Sequence, residues 1–203
     1  MFRVSWISLS CHNDARNQVG RFAAEAGLNP VVEKPGLLQP SPDQPGANRR
    51  RPADVYIPSW QGGVPAALGL AITSPQRLDV IREASTQVGA AAAAYEAFKR
   101  SHLNTAADCQ AQGMAFIPMI AEPSGGWGAS AICTLKAISR AAATRSDRTS
   151  DSILSEQLQL LSASIRRSKA RAVLRRDAGA DRLVPTALAS AAAALAEEDS
   201  PLT

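Results

Sequence analysis

Residues 49–73, RRRPADVYIPSWQGGVPAALGLAIT, decide how this chain is read. Two apolar runs, Ala53–Ile57 and Ala66–Thr73, flank Ser59-Trp60-Gln61-Gly62-Gly63, a Gly-rich segment with the chemistry of a hairpin turn. The spacing predicts two strands side by side. Asp54 is the one acid in the pair and stands just behind Arg51-Pro52. A carboxylate set in an apolar strand is costly to bury unless it meets a metal, a cation or hydrogen-bond donors. A metal would need a second carboxylate on the neighbouring strand, and the second strand carries Gly69 there, which predicts a small gap beside Asp54.

Outward from this pair the periodicity changes. Val19, Phe22, Ala23 and Ala26 fall at helical spacing, predicting a helix over 13–26 with Asn13 as its N-cap and Gly27 as its stop. Val31–Lys34 reads as a short strand, and residues 35–48, with four prolines, as a loop. Beyond Pro75 a short helix reaches about residue 84 and a long one spans 85–110, ended by Gly113. Met114–Ala121 is a continuous apolar run that suits a buried strand. Ser124-Gly125-Gly126-Trp127-Gly128 turns into a helix reaching Thr144, and a last long helix spans 151–175. Residues 186–197 read as a weak helix or a frayed tail. The order is helix, three strands, helix, strand, helix, an α/β class.

Composition sets outer bounds. The 203 residues are 45% hydrophobic, enough for a core, yet only 4% aromatic, so packing rests on alanine and aliphatic side chains. A net charge of +4 favours anionic partners. Cys11, Cys109 and Cys133 are odd in number and irregular in spacing, which predicts reduced thiols and an intracellular protein. No run is long and apolar enough to predict a membrane span, and the first eleven residues read as the remnant of a longer chain.

Several side chains could carry chemistry. Glu96 and Lys99 lie three apart, hence on one helical face, either as a solvated pair or as a lysine aimed at a phosphate. Glu122 closes the apolar strand before the Gly-rich turn, as a functional acid or as a helix N-terminal one. His12 opens the first helix. Arg166, Arg167, Lys169, Arg171, Arg175 and Arg176 form a basic run without acids, either a solvated face or a contact for nucleic acid.

Taken in order, His12-Asn13, Arg51-Pro52-Ala53-Asp54, Pro65-Ala66-Ala67-Leu68, Thr73-Ser74, Glu96-x-x-Lys99, Cys109, Gly113, Phe116-Ile117-Pro118 and Glu122-x-x-Gly125-Gly126-Trp127 resemble the C-terminal endonuclease region of non-LTR retrotransposon polyproteins. That region is similar to restriction-like nucleases of the PD-(D/E)XK type, and the resemblance covers about residues 12–175. It implies a restriction-endonuclease-like αβββαβ core over 12–145, a remnant at 1–11 and a basic helical extension over 146–203. It also implies Mg²⁺-dependent DNA cleavage in the nucleus, downstream of a reverse transcriptase in the parent element. Asp54 would hold the metal, Lys99 would stabilise the attacking group and the scissile phosphate, and Glu96, at the edge of the gap, would orient Lys99 or give partial metal support. Arg51, Arg166, Arg167, Lys169 and Arg171 would contact DNA. Gly69 in place of the second acid implies cleavage that is weak or lost. A non-catalytic nucleic-acid-binding remnant and an unselected open reading frame are the competing readings.

Overall fold

The computed structural model describes residues 6–38 and 51–180. Within them a four-stranded mixed sheet runs in the order β1-β2-β3-β4. Helix α1 (Trp6–Glu25) leads into β1 (Val31–Val32), β2 (Val55–Ile57) and β3 (Ala66–Ile72). Helices α2 (Ile81–Ala84), α3 (Ala90–Ser101) and α4 (Thr105–Ala111) connect to β4 (Ala115–Ala121), after which α5 (Ala129–Ala143) and α6 (Ser150–Ala180) complete the described chain. The first three strands are antiparallel, with Val55 opposite Leu68 and Ile57 opposite Ala66. Strand β4 is parallel to β3 and sets Gly69 opposite Pro118.

Alternation along the strands divides the core into two faces. Val55, Ile57, Leu68, Leu70 and Met119 point to one side, where α1, α5 and α6 supply Val19, Leu135, Ile138 and Leu161. Tyr56, Ala67 and Phe116 point to the other and meet Cys109 of α4 with Met114. The 3₁₀ turn Gln61–Gly63 joins β2 to β3, and Gly62 and Gly63 take φ of 66° and 81° there. Glycine tolerates those values without a Cβ penalty.

Four sequence expectations change. The first helix begins at Trp6, so His12 and Asn13 are interior and Asn13 is not its N-cap. The helix also runs across residues 11 and 12, so residues 6–11 of the segment expected to be a remnant are continuous with the core element. The first strand stops at Val32, because Glu33 turns the chain at a φ of 51°. The long helix expected over 85–110 is broken at His102–Asn104, where Leu103 and Asn104 both adopt left-handed φ near 50°. Neither a glycine nor a proline marks that break in the sequence.

Helix α6 extends beyond the expected 151–175, and its Leu161 and Ile165 are fully buried. Ile153, Leu161 and Ile165 of α6 therefore share the core with the segment before them. The tail expected over 186–197 lies outside the described residues, as do Arg49 and Arg50. No disulfide links the cysteines; Cys11 and Cys109 are buried and Cys133 is exposed. Burial pushes the Cys11 thiol above its ordinary value.

Candidate functional site

Asp54 sits at the residue before β2, where the backbone ladder with β3 gives way. Its N–H donates to the Leu68 carbonyl at 2.9 Å, so the two strand segments are paired up to this point. Its carboxylate then takes over from the backbone: Oδ2 accepts the Leu70 N–H at 2.6 Å. A buried strand N–H without a partner would cost about 1–3 kcal/mol, and the carboxylate removes that cost. Oδ1 faces the His12 imidazole, whose Nε2 is 3.3 Å away. Asp54 thus joins α1 to the middle of the sheet.

The Asp54 hydrogen bond raises the His12 pKa above its ordinary value. Burial lowers it, while the negative charge of Asp54 and a hydrogen bond donated to Asn13 add to the rise. Lys99 on α3 opposes protonation, so its ammonium acts on the same imidazole. Asp54 and His12 are thus in contact, while Lys99 is linked to them only through its charge acting on the imidazole. Because the folded pKa is raised, the stabilisation from this pair is fully present below about pH 6.5, the ordinary value. It is lost as pH rises through the elevated folded value. Urea denaturation between pH 5.5 and 8.5 should show stability declining across that window by about 1 kcal/mol or less, since both side chains are partly exposed. Asp54→Asn should flatten the decline; an unchanged profile would remove His12 from the account.

Glu96 is elsewhere. Its Oε1 accepts the Ser130 N–H at 3.1 Å and its Oε2 accepts the Ser130 hydroxyl at 2.8 Å. Gly128, the N-cap of α5, has no side chain to do this, and a Cβ there would collide with Glu96 Oε1. Glu96 therefore caps α5 from α3, where an acid also meets the positive end of the helix dipole. Arg100 donates to the same Ser130 hydroxyl at 2.8 Å. Glu122, 7% exposed, does the equivalent for α3, accepting the Ala92 N–H at 3.2 Å. It caps α3, two helices earlier in the chain, rather than α5, the one it leads into. Sequence reading could not have found either arrangement, because each pairs residues that only the tertiary fold brings together.

The space expected beside Asp54 is filled. A Cβ on Gly69 would lie 2.9 Å from Phe116 Cε2 and 3.2 Å from the Pro52 carbonyl oxygen. Phe116 is a buried ring on β4, so it covers the glycine from the adjacent strand. Gly69 is a packing requirement in this fold, and the gap anticipated from the sequence does not exist.

These donors do not fit Mg²⁺. The ion prefers oxygen ligands in near-octahedral array, commonly one or two carboxylates with substrate phosphates. Asp54 offers one carboxylate held from both sides, with an imidazole against it and Gly69 opposite. Among the described residues no three His, Cys, Asp or Glu side chains cluster as a metal site.

Of the basic residues, Arg51 is exposed, and so are Arg167, Lys169 and Arg171 on α6. Arg166 is committed to the fold, donating to the Ser124 carbonyl at 3.0 Å and so tying α6 to the turn before α5. The side chains of Arg175 and Arg176 lie outside the described set. Among the described residues no helix is long and apolar enough to cross a membrane. Neither a family model, nor a curated protein, nor a solved structure matches this chain.

Proposed function

We propose that this chain is a restriction-endonuclease-like domain of the kind carried by non-LTR retrotransposon polyproteins, acting as a nucleic-acid-binding module in place of an active metal nuclease. In the parent element it would follow a reverse transcriptase. The order of one helix, three antiparallel strands, a helical connection and a parallel fourth strand agrees with the αβββαβ core that the sequence resemblance implies. The Asp54 site supports loss of cleavage, since its carboxylate serves Leu70 and His12.

One observation carries the binding reading. Residues 157–176 contain no acid, and within them Arg167, Lys169 and Arg171 are all exposed on α6. A cationic surface without internal neutralisation attracts the phosphate backbone by counterion release.

The test is the salt dependence of DNA affinity. Each phosphate neutralised contributes about −0.9 to the slope of log K against log salt on duplex DNA. Replacing Arg167, Lys169 and Arg171 together by alanine should make the slope less steep by roughly two to three and weaken binding at low salt. Arg166→Ala belongs in a separate arm because Arg166 also holds the Ser124 turn. An unaltered slope in the triple variant would leave these cations as solvated surface and end the proposal.

A further inference from the structure

Helix α3 carries Tyr95, Phe98, Lys99 and His102 at positions i, i+3, i+4 and i+7, the spacing of one helical face. A face with that pattern ordinarily turns to the core. Here it does not: Phe98 is 49% exposed, His102 is exposed as well, and Tyr95 and Lys99 are half-buried. The rings order one another instead. Tyr95 and Phe98 lie 5.5 Å apart between centroids and tilted, and Phe98 and His102 lie 4.8 Å apart and stacked. Both spacings fall in the favourable range for aromatic pairs. With aromatic residues only 4% of the chain, leaving Phe98 in water forgoes burial of one of the few large rings.

Charge decides what such a surface attracts. Arg77 lies over the Tyr95 ring, 5.3 Å from its centroid, and is neutralised by Asp79. It closes that end of the ladder and leaves Phe98 and His102 as the open end. Glu96, the acid of α3, is committed to Ser130, whose hydroxyl it shares with Arg100. Lys99 forms an ion pair with no acid among the described residues, so the open rings have an uncompensated ammonium on their own helical face. Exposed ring faces beside such a cation complement an unstacked nucleotide, since every base offers a π-face and every phosphate a negative charge.

We propose that the Tyr95–Phe98–His102 ladder is a stacking platform for single-stranded nucleic acid, with a base against the exposed ring surface of Phe98 and His102 and the adjoining phosphate at Lys99. Stacking does not read the edge of the base, so the platform accepts any sequence. This deepens the nucleic-acid-binding reading above and rests on it: the cations of α6 attract the phosphate backbone, and the ladder adds a preference for unpaired bases.

Fluorescence anisotropy with the full chain separates the two. The probes are single-stranded oligothymidylate of about twelve nucleotides, within the site sizes common for such platforms, and an abasic strand with the same number of phosphates. Wild type should bind the base-bearing strand about tenfold more tightly, the gain expected from stacking roughly one base. Phe98→Leu combined with His102→Gln removes two rings while keeping good helix formers, and should bring that ratio to about one with the salt slope unchanged. Phe98→Tyr alone, which keeps a ring, should preserve the ratio. Replacing Arg167, Lys169 and Arg171 by alanine should weaken both strands alike and leave the ratio as it was. Equal binding of the two strands by wild type, or an unchanged ratio in the double variant, would overturn the platform and leave the cationic face of α6 standing. No binding of either strand would overturn both proposals.

Discussion

Gly69→Asp is expected to destabilise the fold by about 3 kcal/mol or more and to produce no nicking of plasmid DNA in Mg²⁺. The sequence alone suggests the opposite result, repair of a broken metal pair. Two costs decide the matter. The new Cβ would press on the Phe116 ring at 2.9 Å and on the Pro52 carbonyl at 3.2 Å, and a backbone oxygen cannot move aside as a flexible side chain can. The new carboxylate would also be buried against the Phe116 ring and a carbonyl oxygen, neither of which compensates its charge. Gly69→Ala isolates the first cost and should account for about 1–3 kcal/mol. Pairing Gly69→Asp with Phe116→Leu should recover part of the loss by removing the ring edge. Equilibrium urea denaturation reads the stabilities and supercoiled-plasmid nicking reads the activity. Mg²⁺-dependent nicking by Gly69→Asp at undiminished stability would restore the metal-site reading.

The second large effect concerns α6. Leu161 is fully buried in the cluster that includes Val19, Leu68 and Leu135, so Leu161→Ala should cost about 2–5 kcal/mol. In a core with few aromatic side chains that is a large share of the total stability, typically 5–15 kcal/mol for a domain. Helix α6 also meets α1 through polar groups: the Cys11 thiol approaches the Ile165 carbonyl, and Ser168 donates to Asp14 at 3.2 Å. A chain ending at residue 145 would expose the faces of α1 and α5 that α6 covers. It should show no cooperative urea transition. A sharp sigmoidal transition from residues 1–145 would make α6 an appendage.

Much of the framework was legible because it depends on local pattern. The apolar runs at 53–57, 66–73 and 114–121 overlie β2, β3 and β4, and Leu154, Leu158, Leu161 and Ile165, which recur in the sequence at helical spacing, lie within α6. What escaped depends on long-range meetings. Leu103 and Asn104 break a helix that composition favours, with no glycine or proline to mark the place. Glu96 and Lys99 share a helical face in sequence, yet Glu96 turns to Ser130 while Lys99 acts on His12. Gly69 looked like a vacancy because Phe116, which fills it, belongs to a strand reached only after three further helices. Asp54 was correctly singled out as an acid that must be satisfied. The groups that satisfy it, a strand N–H and an imidazole on α1, could not be read from its neighbours.

The two borrowed helix caps bear on how this part of the molecule opens. Glu122 at the end of β4 closes the start of α3, Glu96 of α3 closes the start of α5, and the Gly128 N–H returns to the Ile120 carbonyl of β4 at 2.8 Å. The three elements form a ring of mutual dependence. Losing one link uncovers backbone N–H groups at the next, so fraying at α3 is transmitted to α5. Their amide protons should therefore exchange with solvent water through a common sub-global opening, as a single foldon.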